Sequence, residues 1–163
     1  MGILITLPDL RRGGGVAHFY DRVVPYLPAD TRLLVVGKRL GEDGAPAAAA
    51  RLARDTVEVR RALDADRAAV LVVNPSLDPR SLLRDGRAVQ AARRRGRRVI
   101  VFVRGWQEET ERLIDGPLGR AFAGSLFGAD AFIVLASRFR GALRRWGYRG
   151  PVHTATTAVT DDA

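Results

Sequence analysis

Ile3-Leu4-Ile5-Thr6-Leu7 runs through Pro8-Asp9-Leu10-Arg11-Arg12 into Gly13-Gly14-Gly15 and then Val16-Ala17-His18-Phe19-Tyr20. Apart from Thr6, the first five residues are apolar on both sides of an extended chain, so neither face of that strand suits water. After the glycines, Val16, Phe19, Tyr20 and Val23 recur at helical spacing until Pro25 ends or kinks the helix. A buried strand that feeds directly into an amphipathic helix is the opening unit of a parallel sheet.

The same alternation continues along the chain. Segments 32–36, 69–73, 98–103, 130–135 and 151–154 are short, rich in Val, Ile and Leu, and apolar on both faces. Helical patterns separate them. One spans about 46–64, with Leu52, Thr56, Val59 and Leu63 in phase, after a loop from Gly41 to Pro46. The next spans about 79–94 and buries Leu82, Leu83 and Val89; Asp78 is placed to cap it and Pro79 to open its first turn. Two shorter helices, near 107–114 and 117–128, are punctuated by Gly116-Pro117. The last, about 137–146, turns Phe139, Leu143 and Trp146 inward, with Ser137 as its expected cap and Gly147 as its stop. This order predicts an α/β fold: a Rossmann-like, doubly wound parallel sheet of about six strands with helices on both faces and right-handed crossovers.

A chain of 163 residues, 47% of them hydrophobic, forms one domain with a sizeable core and is not a disordered segment. No apolar run approaches a membrane span, and the start of the chain lacks a secretory pattern, so a cytoplasmic protein is expected. The absence of cysteine excludes disulfides and thiolate metal sites. His18 and His153 lie too far apart in sequence to suggest a histidine-rich site, so neither a metal nor a cofactor is expected. The formal charge is +9, and Lys38 is the only lysine among the cations. Two readings stay open: an arginine-rich composition, or an anionic partner such as phosphate groups or the anionic inner face of a membrane. Arg93-Arg94-Arg95-Gly96-Arg97-Arg98 is the densest run and falls at a helix–strand junction, as a local patch. Arg80, Arg84 and Arg87 read as a solvated basic stripe on the third helix. A nucleic-acid partner is not expected, because basic and aromatic residues do not interleave.

The strand ends carry the residues with chemistry. In an open parallel sheet, ligands bind beyond the carboxyl ends of the strands. Gly13, Gly14 and Gly15 allow close approach of the backbone, and the helix that follows offers free N–H groups and a positive dipole end; a phosphate suits them, and so does a plain flexible turn. The spacing is not the dinucleotide-binding pattern, and no G-K-S/T sequence follows. Asn74-Pro75-Ser76 ends the third strand. Asn74 and Ser76 offer neutral hydrogen bonds to a sugar, or shape the turn before the next helix. Arg104-Gly105-Trp106-Gln107 ends the fourth. Arg104 suits a phosphate or carboxylate, while Trp106 either stacks on a sugar face or plugs the core. Glu108, Glu109 and Glu111 read as a solvated, dipole-favoured helix start.

Taken in order, Gly13-Gly14-Gly15-Val16-Ala17, Val72-Val73-Asn74-Pro75-Ser76-Leu77, Val101-Phe102-Val103-Arg104-Gly105-Trp106 and 128–137, followed by 143–148, resemble the N-terminal half of a GT-B fold glycosyltransferase of the family 4 (group 1) type. The resemblance implies a two-domain enzyme. Its N-terminal domain binds the acceptor, its C-terminal domain binds a nucleotide-sugar, and transfer occurs in the cleft between them. It places Gly13, Gly14 and Gly15 near the donor phosphates, assigns Asn74, Ser76, Trp106 and Gln107 to substrate binding, and makes Arg104 the catalytic candidate. The strand-end position that often carries a histidine in the family is Arg104 here, so no histidine role is carried over. Residues 1–155 are then the acceptor-side domain, and 156–163 the start of an interdomain hinge. The donor domain, with its pair of glutamates, has no counterpart in the 163 residues, so a truncated, inactive half is expected. Its open cleft surface is expected to self-associate weakly. The alternatives are a free-standing nucleotide- or phosphosugar-binding module without catalysis and, more weakly, a basic nucleic-acid-binding domain.

Overall fold

Six strands form one all-parallel sheet in the order β2-β1-β3-β4-β5-β6. The structure is a computed structural model that describes residues 2–42, 46–65 and 69–156. The strands are β1 (Ile3–Leu7), β2 (Thr31–Val35), β3 (Val70–Val73), β4 (Arg98–Phe102), β5 (Ala131–Val134) and β6 (Val152–Thr154). Between them lie α1 (Gly15–Val23), α2 (Pro46–Ala65), α3 (Pro79–Arg93), α4 (Glu108–Asp115), α5 (Pro117–Ala123) and α6 (Ser137–Arg145). The fold is thus the doubly wound, Rossmann-like α/β sheet that the sequence predicts. The hinge expected from 156 onward falls, beyond Thr156, outside the described residues.

The order of the strands reverses once. The chain steps from β1 to β2 in one direction and from β2 over β1 to β3 and onward in the other. Right-handed crossovers therefore place the first helix on the face opposite to the later ones. The packing agrees. Val16, Phe19 and Tyr20 of α1 cluster with Ile3, Ile5, Leu7, Leu33 and Val72 on one face. On the other, Val59, Leu63, Leu82, Val89, Ile114, Leu143 and Trp146 from the later helices pack with Leu4, Leu71, Val73, Val99, Val101, Phe132 and Val134 of the sheet. The register aligns Leu4 with Leu71 and Leu71 with Val99, so the side chains of the second face form continuous apolar rows.

The helix ends follow local chemistry. The Asp78 carboxylate accepts the backbone N–H groups of Arg80 (3.1 Å) and Ser81 (3.0 Å), and Pro79 opens α3. α1 stops at Val23, and Pro25 sits in a single tight turn that follows. Gly147, at φ 104°, ends α6. Two expectations are corrected. Ser137 does not cap α6: it is the first helical residue, and the cap position is Ala136, with no side-chain bond. Leu83 is half-buried and lines a surface groove with Leu52, Arg80 and Arg84 rather than joining the core.

Candidate functional site

The reversal of strand order opens a crevice between the carboxyl ends of β1 and β3, where open α/β sheets bind ligands. A cleft of about 140 Å³ lies there, lined by Thr6, Leu7, Pro8, Val16, Val36, Asn74, Ser76, Ser81 and Arg84. Beside it, the chain leaves β1 through a short turn at Leu10–Arg12 and reaches the three exposed glycines. Gly13 and Gly14 adopt φ 68° and 98°, conformations that L side chains rarely adopt. Gly14 is the cap residue of α1 and offers no side-chain bond, so the first N–H groups of the helix are left free of a side-chain cap.

Asp9 fixes this turn. Its buried carboxylate accepts the backbone and side-chain N–H groups of Arg11 and the backbone N–H of Leu40, joining the turn after β1 to the loop after β2. The Arg11 guanidinium holds the Asp9 carboxyl far below its ordinary range.

Asn74 is buried, and both ends of its amide are bonded inside the protein. Its Oδ1 accepts the Tyr20 hydroxyl at 2.9 Å, and its Nδ2 donates to the Thr6 carbonyl at 2.8 Å. Asn74 therefore ties α1 to the ends of β1 and β3, which gives it a positioning role at the edge of the cleft it lines. Burial pushes the Tyr20 hydroxyl pKa up, which keeps it a donor. Ser76 does line the cleft. It also forms a parallel bridge to Gly105, where an added Cβ would meet Ser76 Oγ at 3.1 Å, so Gly105 lets the two strand-end loops approach.

Trp106 lies apart from the crevice. It stacks on Phe139, with ring centroids 4.0 Å apart, and on Trp146 at 5.4 Å, and its Nε1 donates to Glu111 at 2.5 Å. Of its two readings, the structure realises the packed one. Glu111 also accepts from Arg145 at 3.0 Å, so it is a structural ligand of two side chains and not merely a solvated helix start. Gln107 is exposed at the cap of α4, with no side-chain cap bond.

Arg104 is held by its backbone N–H, which donates to the Pro75 carbonyl at 3.0 Å. Its guanidinium lies 3.8 Å from the centre of the Phe19 ring and 4.6 Å from that of Phe102. It thus packs against the second turn of α1. Burial lowers its pKa.

Two acids went unnoticed in the sequence. Asp85 is buried on α3 and is gripped at both oxygens by Arg84, through Nε and Nη2 at 2.8 Å each. Arg84 accordingly borders the crevice and is not part of a solvated stripe. Asp55 is buried on α2 and accepts the Gly37 N–H at 2.6 Å, anchoring the loop after β2; burial raises its pKa. The signal was available: Leu82, Asp85 and Val89, like Leu52, Asp55 and Val59, share one helical stripe, and an acid on a core-facing stripe needs a partner.

No family model matches the sequence, and no curated protein matches it. Among solved structures, the fold is similar to that of a UDP-glucosyltransferase from Polygonum tinctorium capable of glucosylating indoxyl, determined in complex with 3,4-dichloroaniline. The TM-score is 0.54 at 13% sequence identity, over 99% of this chain and 54% of that one. The likeness is one of fold, and this chain spans about half the length of that one.

Proposed function

We propose that this domain is the acceptor-binding half of a GT-B glycosyltransferase of the family 4 type, which moves a sugar from a nucleotide-sugar to an acceptor. The observation that carries the reading is the glycine turn. It lies beside the crevice at which the strand order reverses, in a backbone conformation suited to glycine, and it opens a helix whose first N–H groups have no side-chain cap. Transfer from a nucleoside diphosphate sugar develops negative charge on the departing phosphate. Backbone N–H groups and a helix N-terminus stabilise that charge without a metal ion. Ser76 borders the same cleft and offers a hydroxyl to the sugar or the acceptor. The similarity in fold to a UDP-glucosyltransferase supports the reading. Most of the donor pocket belongs to a second domain in this scheme, so the chain by itself binds a donor weakly and does not turn it over.

The test mixes the purified chain with UDP-glucose and measures heat of binding and release of UDP in parallel. Weak binding without turnover is expected. Transfer of glucose by the chain alone would overturn the half-enzyme reading, and the absence of any binding at millimolar UDP-glucose would overturn the phosphate role of the glycine turn.

A further inference from the structure

Among the described residues, Arg104 is alone in having two guanidinium nitrogens, Nε and Nη1, both shielded from solvent and without a hydrogen-bond partner. Among the described residues no carboxylate comes within ion-pair range of it, and the Tyr20 hydroxyl bears on its charge. Burying a cation without a counter-charge is costly. The rings of Phe19 and Phe102 offset part of that cost through their negative faces, but they leave the Nε and Nη1 donors unsatisfied. The residue stands two positions past β4, on the sheet edge where ligands bind. Its position is fixed on both sides: its own N–H is bonded to Pro75, and the carbonyl of Gly105 accepts the Leu77 N–H at 2.7 Å.

We propose that Arg104 is an anion-binding residue that holds a phosphate or carboxylate group on the molecule accepting the sugar. The acceptor assignment rests on the glycosyltransferase reading; the anion site rests on the geometry of Arg104. Nη2 is not among the shielded atoms, so an anion reaches the guanidinium at that corner. Two of the three guanidinium nitrogens are already shielded from solvent. An incoming oxyanion therefore meets a partly desolvated, pre-positioned donor set, which strengthens each charge-assisted hydrogen bond. Phosphate and carboxylate share this chemistry, and the aromatic walls favour neither.

The test follows the Arg104 Nε–H resonance by NMR at constant ionic strength, with inorganic phosphate, glucuronate and glucose as probes. Saturable shifts with one or both anions and none with glucose are expected; which anion saturates at the lower concentration identifies the group. Arg104→Gln should weaken anion binding by about tenfold or more, the scale of a lost charge-assisted hydrogen bond. Arg87→Gln, which removes the same charge from an exposed helical position, should leave it unchanged. If Arg104→Gln does not fold, the titration of the unaltered chain decides. A linear, unsaturable drift of the resonance, or equal losses in the two variants, would overturn the proposal. UDP-glucose binding by the same sample reports separately on the transferase reading: its failure leaves an anion site at Arg104 standing, and its success does not rescue one.

Discussion

Arg104 and the arginines of the α2–α3 groove carry the same charge in opposite settings. The groove, a cavity of about 550 Å³ on the helical face, is lined by Arg60, Arg87, Arg94 and Arg95 with Thr56 and Gln90. Arg95 holds Asp64 through two bonds, while Arg60, Arg87 and Arg94 have no acidic partner among the described residues. Their charges are hydrated and screened by salt. Arg104 has two nitrogens shielded from water and is fixed by aromatic rings and backbone bonds. The difference teaches that the number of positive charges does not locate a site; desolvation and a fixed position do. Even the densest run, 93–98, is partly consumed by structure: Arg93 holds Asp130 at 3.0 Å, and Asp130 in turn accepts the Val99 N–H at the start of β4.

The comparison breaks most visibly through stability. Asn74→Ala removes two buried hydrogen bonds and orphans the Tyr20 hydroxyl and the Thr6 carbonyl. It should cost about 2–4 kcal/mol in urea unfolding. Arg87→Ala in the groove should stay within about 0.5 kcal/mol. Equal costs would mean that the cleft edge is no more rigidly built than the solvated helices.

Gly14→Val comes next. No atom lies within 4 Å of the Cβ it would add, so the penalty is backbone strain at φ 98° and not a clash. The expected stability loss is about 1–3 kcal/mol. On the transferase reading proposed above, sugar transfer should fall further, because a lost oxyanion-type contact raises the barrier by about 3–4 kcal/mol. A folded variant with normal turnover would reduce the glycine turn to a connector.

The smallest effect is in acid. The Asp9 carboxyl titrates below its ordinary value of 3.8 when folded, chiefly because of the Arg11 side chain. The stability it supplies is present above that value and drains away as the pH falls below it. Asp9→Asn should therefore flatten the loss of stability on acidification below about pH 4, measured by melting temperature against pH. An unchanged slope would show that the Asp9 contacts do not hold the glycine turn.

The fold was legible because the inner strands of the sheet are largely buried. Strands such as Val70–Val73 are apolar on both faces, and Asp78-Pro79 and Gly147 punctuate helices by rules that act within a few residues. The glycine turn was legible for the same reason, since its conformation is local. What escaped the sequence depends on partners far along the chain. Asn74 looks like a free amide until Tyr20 and Thr6, 54 and 68 residues away, are seen to hold its two ends. Trp106 looks like a sugar platform until α6 brings Phe139 against it. Arg84 reads as one of three solvated arginines, and only the burial of its neighbour Asp85 reveals that its charge is claimed.

The central claim is that ligands bind at the carboxyl edge of the sheet and not on the basic helical face. Amide-resolved NMR of the chain during titration with UDP-glucose tests it most directly. The account predicts saturable shifts at Gly13, Gly14, Gly15, Val16 and Ser76, with the α3 residues Arg87 and Gln90 silent. Shifts confined to Arg60, Arg87 and Arg94 and abolished by added salt would contradict it, placing the anion on the open groove and leaving the crevice without a ligand.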